Sequence, residues 1–246
     1  IVKQLRDFNP YFYIYENNSK DKTKLILNNY KKYNNFFIQK DDLKISDNRY
    51  INICNARNRL LNFYKNNIKR KPHYILQLDT NLLFSSNNIT SLINIFNKKV
   101  DPVMVCPYSC FYNPDLHNAT CYFDFLALNY GKNFKNTNFQ LFTKENYFKG
   151  RDYTNEKTVF GGMGLLRQDI YLKIAWKLKK NENVKNIHLI NGKTICEHWN
   201  YCEELRKYGN LYLIKNPNVV WYMDKYIDNK SKKHKFINYL IREKIL

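Results

Sequence analysis

No run of apolar residues approaches the length needed to cross a bilayer, and the first residues carry no cleavable secretory pattern. These two absences make a cytoplasmic protein the expectation. The six cysteines, at positions 54, 106, 110, 121, 196 and 202, lack the paired two-residue gaps of a zinc site. Reduced, mostly buried thiols are therefore expected, since a chain this long does not need bridges; Cys106, Cys110 and Cys121 lie close enough in sequence to supply one. Gly161, Gly162 and Gly164 do not fit the spacing of a dinucleotide fingerprint. They suggest instead a backbone that takes positive φ or passes close to something bulky. No internal repeat or low-complexity linker breaks the chain.

Acidic residues are also scarce. Against 41 Lys and Arg stand 21 Asp and Glu, for a net charge of +20. Such a surface attracts phosphate-rich partners, yet Lys, Asn, Ile and Tyr are abundant throughout, as an AT-rich genome would produce. A nucleic-acid-binding protein therefore rests on charge alone and is disfavoured. The basic end, residues 225–246, reads as a helical extension that packs on the preceding domain, with peripheral contact to an anionic membrane as the alternative. With 246 residues and 44% hydrophobic content, the chain has enough apolar surface for one sizeable core, and residues 1–224 read as one domain.

Four segments carry candidate chemistry. The apolar run from His73 to Leu78 ends at Asp79-Thr80-Asn81. Residues i and i+2 of a strand project from one face, so a carboxylate and an amide oxygen at its end can share a divalent cation. Alone, the same pattern is an ordinary turn or helix cap. Upstream, the aromatic run from Tyr11 to Tyr15 stops at Glu16-Asn17, followed by Ser19, Asp21 and an apolar helical pattern through Tyr33. Ser19 or Asp21 suits a helix N-cap, whereas Glu16 and Asn17 sit where a parallel sheet binds ligands. In the third segment Leu60, Leu61 and Tyr64 make an apolar helical face, with Arg57 and Arg59 near the helix start. An arginine there reaches a phosphate or a carboxylate, or is simply a solvated charge. The fourth combines Phe160-Gly161-Gly162-Met163-Gly164 with Glu197-His198 and a helix whose apolar face is Trp199, Cys202, Leu205 and Tyr208, stopped at Gly209. Glu197 and His198 fall in its first turn, where the helix dipole favours an ionised carboxylate and a neutral imidazole, both ready to accept a proton. Helix capping is the competing role.

Taken in order, Tyr15-Glu16-Asn17, Ala56-Arg57-Asn58-Arg59, Leu78-Asp79-Thr80-Asn81, Phe160-Gly161-Gly162, Cys196-Glu197-His198 and Asn216-Pro217-Asn218 resemble the GT-A glycosyltransferases. The likeness is nearest to the branch of capsule mannosyltransferase-like proteins and glycosyltransferases of large DNA viruses. It runs over residues 11–222. The resemblance implies an α/β, Rossmann-like domain with a mostly parallel central sheet flanked by helices. It also implies a strand ahead of the helix at Ile1, which is expected to be missing or displaced.

By the same resemblance, Glu16 and Asn17 contact the nucleotide base or ribose, Arg57 faces the nucleotide, and Asp79 with Thr80 meets the donor. Asp79 and Asn81 match the Asp-x-Asp metal motif for Mn2+ or Mg2+, with an amide in place of the second carboxylate. Gly161 and Gly162 flank the acceptor cleft, and Glu197 and His198 match the pair that supplies the catalytic base. Asp124, in Tyr122-Phe123-Asp124, matches a segment that binds sugar hydroxyls. A late metal-binding His has no match; Tyr222, Met223 and Asp224 stand in its place, with Asp224 a weak candidate. The implied activity is transfer of a hexose or deoxyhexose from a nucleotide-diphosphate sugar to a glycan or glycoprotein hydroxyl, with inversion, in the host cytoplasm for a viral protein. A catalytically weak nucleotide-sugar or glycan binding module is the alternative. Residues 106–158, poor in periodicity, are expected to form functional loops.

Overall fold

The computed structural model describes residues 1–42, 46, 49–111, 121–122, 144–178, 197–221, 237–238 and 240–241. Helix α1 (Val2–Leu5) continues into a 3-10 turn (Arg6–Phe8) and then β1 (Phe12–Asn17). Helix α2 (Thr23–Tyr30) follows; its N-cap is Lys22 and not Ser19 or Asp21 as expected, although Asp21 accepts from the Thr23 amide at 2.9 Å just ahead of it. Next come β2 (Phe36–Asp41), the long α3 (Arg49–Asn66), β3 (Tyr74–Leu78), β4 (Leu82–Leu83) and α4 (Ser86–Lys98). The second half contains β5 (Pro102–Phe111), β6 (Cys121–Tyr122), α5 (Lys144–Phe148), β7 (Tyr153–Asn155) and β8 (Met163–Arg167). It ends with α6 (Gln168–Tyr171), α7 (Glu197–Arg206) and β9 (Asn210–Trp221).

The fold is mixed α/β around a seven-stranded sheet of order β3-β8-β5-β9-β4, with β6 beside β5 and β7 beside β9. The expectation of a mostly parallel sheet is met only in part. Strand β5 pairs β9 in parallel, but β8 runs antiparallel to both β3 and β5, and β4, β6 and β7 pair antiparallel. Strands β3 and β4, separated only by residues 79–81, do not pair with each other and end up at opposite ends of this path. Strands β1 and β2 form a parallel pair of their own, which among the described residues is hydrogen-bonded to no strand of the larger sheet.

Alternation along the strands divides the core between the two faces of the sheet. Met104, Cys106, Leu166, Leu211 and Leu213 join Leu61, Tyr64, Trp176, Tyr201 and Leu205 on one face. Val105, Leu165, Tyr212 and Ile214 join Leu5, Ile89, Leu92 and Phe96 on the other. Residues 106–111, expected in an irregular loop, instead complete β5. Val103 to Cys106, Tyr108 and Cys110 are wholly buried, and a strand covered on both faces shows no polar alternation for a sequence reading to find. Cys54, Cys106, Cys110 and Cys202 are buried free thiols, so the bridge considered for Cys106 or Cys110 is not formed. Near the carboxyl end, Leu240 is helical and packs into the core of the first face. Helix α7 buries Trp199, Cys202 and Leu205 and ends at Arg206; Tyr208 lies past its end and is exposed. Gly209 is therefore not the residue that stops the helix. At φ 150°, it brings the chain so close to the Asp101 carbonyl that a Cβ would collide with it.

Candidate active site

The ladder Tyr74↔Arg167 to Leu78↔Met163 fixes β3 against β8, and its continuation bonds the Asp79 amide to the Gly162 carbonyl at 2.7 Å. The glycine segment is thus laid beside the end of the Asp79 strand. Gly162 has φ 89° and Phe160 has φ 109°, a conformation that costs a bulky side chain on the order of 1–3 kcal/mol. A Cβ on Gly164 would come within 3.1 Å of both the Cys106 and Met104 sulfurs, so the third glycine serves close packing.

Arg57 ties the remaining segments to this point. Its Nη2 donates to Asp79 Oδ1 at 3.4 Å, and its Nη1 to Glu197 Oε1 at 3.3 Å. His198 Nε2 lies 3.3 Å from the same Glu197 oxygen. The Arg57 and Glu197 side chains are 11% and 3% exposed, whereas that of Asp79 is 32% exposed and opens to solvent. The guanidinium lies 4.2 Å from the Trp176 ring centroid and 5.1 Å from that of Phe160, within cation–π range. Asn58, the next residue on α3, locks Trp176 in place through two 2.7 Å bonds to its backbone, and Tyr201 of α7 stacks on the indole at 3.8 Å. The His198 imidazole lies 5.1 Å from the Phe160 ring.

With a neutral imidazole, the cluster sets one cation against two carboxylates and keeps a local negative excess. The Cys54 thiol beside it is pushed up to about 12, by burial first and then by Glu197, with Arg57 opposing. A site of this sign suits a developing positive charge or a divalent cation. Among the described residues no group of three or more His, Cys, Asp or Glu side chains is placed to hold a metal. Asp79 thus offers one partly exposed carboxylate, shared with Arg57, and no closed protein cage for a metal forms among the described residues.

Asp79, Arg57, Gly161, Gly162, Glu197 and His198 all belong to this neighbourhood. The placement of Asn81 differs from the strand-alternation argument, because β3 ends at Leu78. Thr80 and Asn81 are exposed in the turn to β4, where alternation no longer places the amide beside the carboxylate. Glu16 and Asn17 do not enter one crevice together. As consecutive strand residues they face opposite ways: Glu16 is buried and accepts from the Ser19 amide at 2.6 Å, while Asn17 lines a groove beneath α3. Asp124 and Asp224 lie outside the described residues.

Phe160, Trp176, Asn58 and Tyr201 were not expected at the site. Trp176 is one of three tryptophans, which is the only sequence signal for it; it reaches Arg57 from an irregular segment without periodicity. No protein-family model matches the chain, and no curated protein matches it in sequence.

Proposed function

We propose that the chain is a glycosyltransferase of the GT-A kind, moving a sugar from a nucleotide-diphosphate donor to a glycan or glycoprotein hydroxyl with inversion. The observation that carries this reading is Arg57 bridging Asp79 and Glu197, which gathers residues 22 and 140 positions away in sequence. Asp79, without the Asn81 amide expected beside it, would hold Mn2+ or Mg2+, which would offset the negative charge of the departing diphosphate. Arg57 fixes the Asp79 carboxylate on the donor side and the Glu197 carboxylate on the acceptor side. The Glu197–His198 pair takes the proton of the acceptor hydroxyl as the new bond to the anomeric carbon forms and the bond to phosphate oxygen breaks. At the first turn of α7 the helix dipole supports an ionised Glu197 and a neutral His198, the states needed for that transfer. The negative excess of the cluster supports the positive charge that accumulates on the sugar.

The test is release of nucleotide diphosphate from a panel of nucleotide sugars with manganese. Release from at least one donor is expected, with its loss in Asp79→Ala. A folded protein that turns over no donor would overturn the reading. A second reading is a binding module of the same fold that lacks useful catalysis. Contact between the Asp79 carboxylate and Arg57 favours it, since a cation must share that carboxylate. It expects stabilisation by a nucleotide sugar in a thermal melt without turnover.

A further inference from the structure

On the far side of α3 from Arg57, a groove of about 1040 Å³ separates the helix from the β1–β2 pair. Residues 55, 59, 62 and 66 line it at helical intervals of four, three and four, while Cys54, Leu61 and Tyr64 of the same helix enter the core. Asn55, Asn62 and Asn66 are exposed, and their side-chain amides make no hydrogen bond to another described residue. Each presents a carbonyl acceptor and an amino donor side by side.

The opposite wall is already organised. Asp41 accepts from Arg59 at 3.1 Å and from Gln39 at 3.4 Å, and its carboxylate helps raise the Tyr15 phenol's pKa. Among the described residues Arg59 is the only charged one lining the groove, and Asp41 neutralises it. Among the described lining residues a phosphate-rich ligand therefore finds no spare cation, despite the net charge of +20. The rings of Tyr15 and Phe63 add apolar surface.

Paired amide donors and acceptors, a neutralised charge and aromatic faces match vicinal hydroxyls and the C–H faces of sugar rings. From Asn55 to Asn66 the helix rises about 16 Å, longer than one hexose. We propose that this groove binds a neutral oligosaccharide, on the opposite face of α3 from Arg57, with Asn58 at the boundary between the groove and the Arg57 cluster. It goes beyond the transferase reading and does not rest on it.

Calorimetric titration with cellotetraose, mannotetraose and chitotetraose tests it, on the unmodified chain and on the triple variant Asn55→Ala, Asn62→Ala, Asn66→Ala. Alanine is the better helix former, so the variant should melt no lower than the parent. At least one tetrasaccharide should bind the parent, and the variant should lose ~10-fold or more of that affinity. Its melting shift with a nucleotide sugar and manganese should be unchanged. Absence of binding to all three sugars, or equal binding by the variant, overturns the proposal. Displacement of the bound tetrasaccharide by a free nucleoside also overturns it, because the groove would then belong to the donor. Since no turnover is read, failure of donor hydrolysis leaves this outcome independent.

Discussion

Replacing Arg57 by alanine tests how the cluster is held together. The substitution leaves the Glu197 carboxylate, 3% exposed, without its guanidinium partner, while Asp79, 32% exposed, regains water. Removing one member of a buried ion pair typically costs about 3–5 kcal/mol, chiefly through the charge left behind. At 3.3 and 3.4 Å the two bonds are longer than strong charge-assisted contacts, which places the loss near the lower end, about 3 kcal/mol. Loss of the contact with Trp176 is included in that figure, not added to it. For a chain of this length, ~3 kcal/mol lowers Tm by roughly 6–12 °C. Asp79→Asn should cost less than about 1 kcal/mol, because its pair is partly solvated. Scanning calorimetry of both variants supplies the measurement. The sign of the pH response is also fixed: a buried Glu197 without its cation has a raised pKa and prefers to bind a proton. The Arg57→Ala deficit should therefore shrink as pH falls and grow as it rises. Equal, small Tm losses in the two variants, or a deficit independent of pH, would refute the view of Arg57 as the buried bridge.

Two further outcomes follow from local structure. Gly209→Ala should lower stability by about 1–3 kcal/mol in denaturant unfolding, since φ is 150° and the obstructing atom is the Asp101 backbone carbonyl, which cannot swing away. The Tyr15 phenol, pushed up to about 12 by burial and by the neighbouring Asp41 carboxylate, should ionise well above the other accessible tyrosines in an ultraviolet titration compared with Tyr15→Phe. Because the folded state holds that proton more tightly, its contribution is fully present below the ordinary phenol value of about 10 and is lost as pH rises toward 12.

Much of the element order was legible because it is a local property. The aromatic run before Glu16, the apolar face at Leu61 and Tyr64, and the face at Trp199, Cys202 and Leu205 each announce their element by periodicity. Strand β5 escaped notice for the converse reason: buried on both faces, it carries no alternation, and it blends into the aromatic-rich stretch after it. At the site, Arg57, Asp79, Glu197 and the paired glycines were each visible as residue types in suggestive positions. Trp176 and Asn58 were not, since their roles depend on two backbone bonds between segments 118 residues apart.

By itself the sequence determined which segments would be strand or helix and which polar residues would stand at their ends, because backbone preference and hydrophobic period act over a few neighbouring residues. Only the tertiary structure decided that Arg57 would serve two carboxylates at once and that Glu16 would turn away from Asn17's groove. Those outcomes depend on the β3–β8 register and on the rotation of α3 about its axis. A slip of one residue in the strand register would send side chains to the opposite face, and a one-residue shift in α3 would turn Arg57 by about 100°.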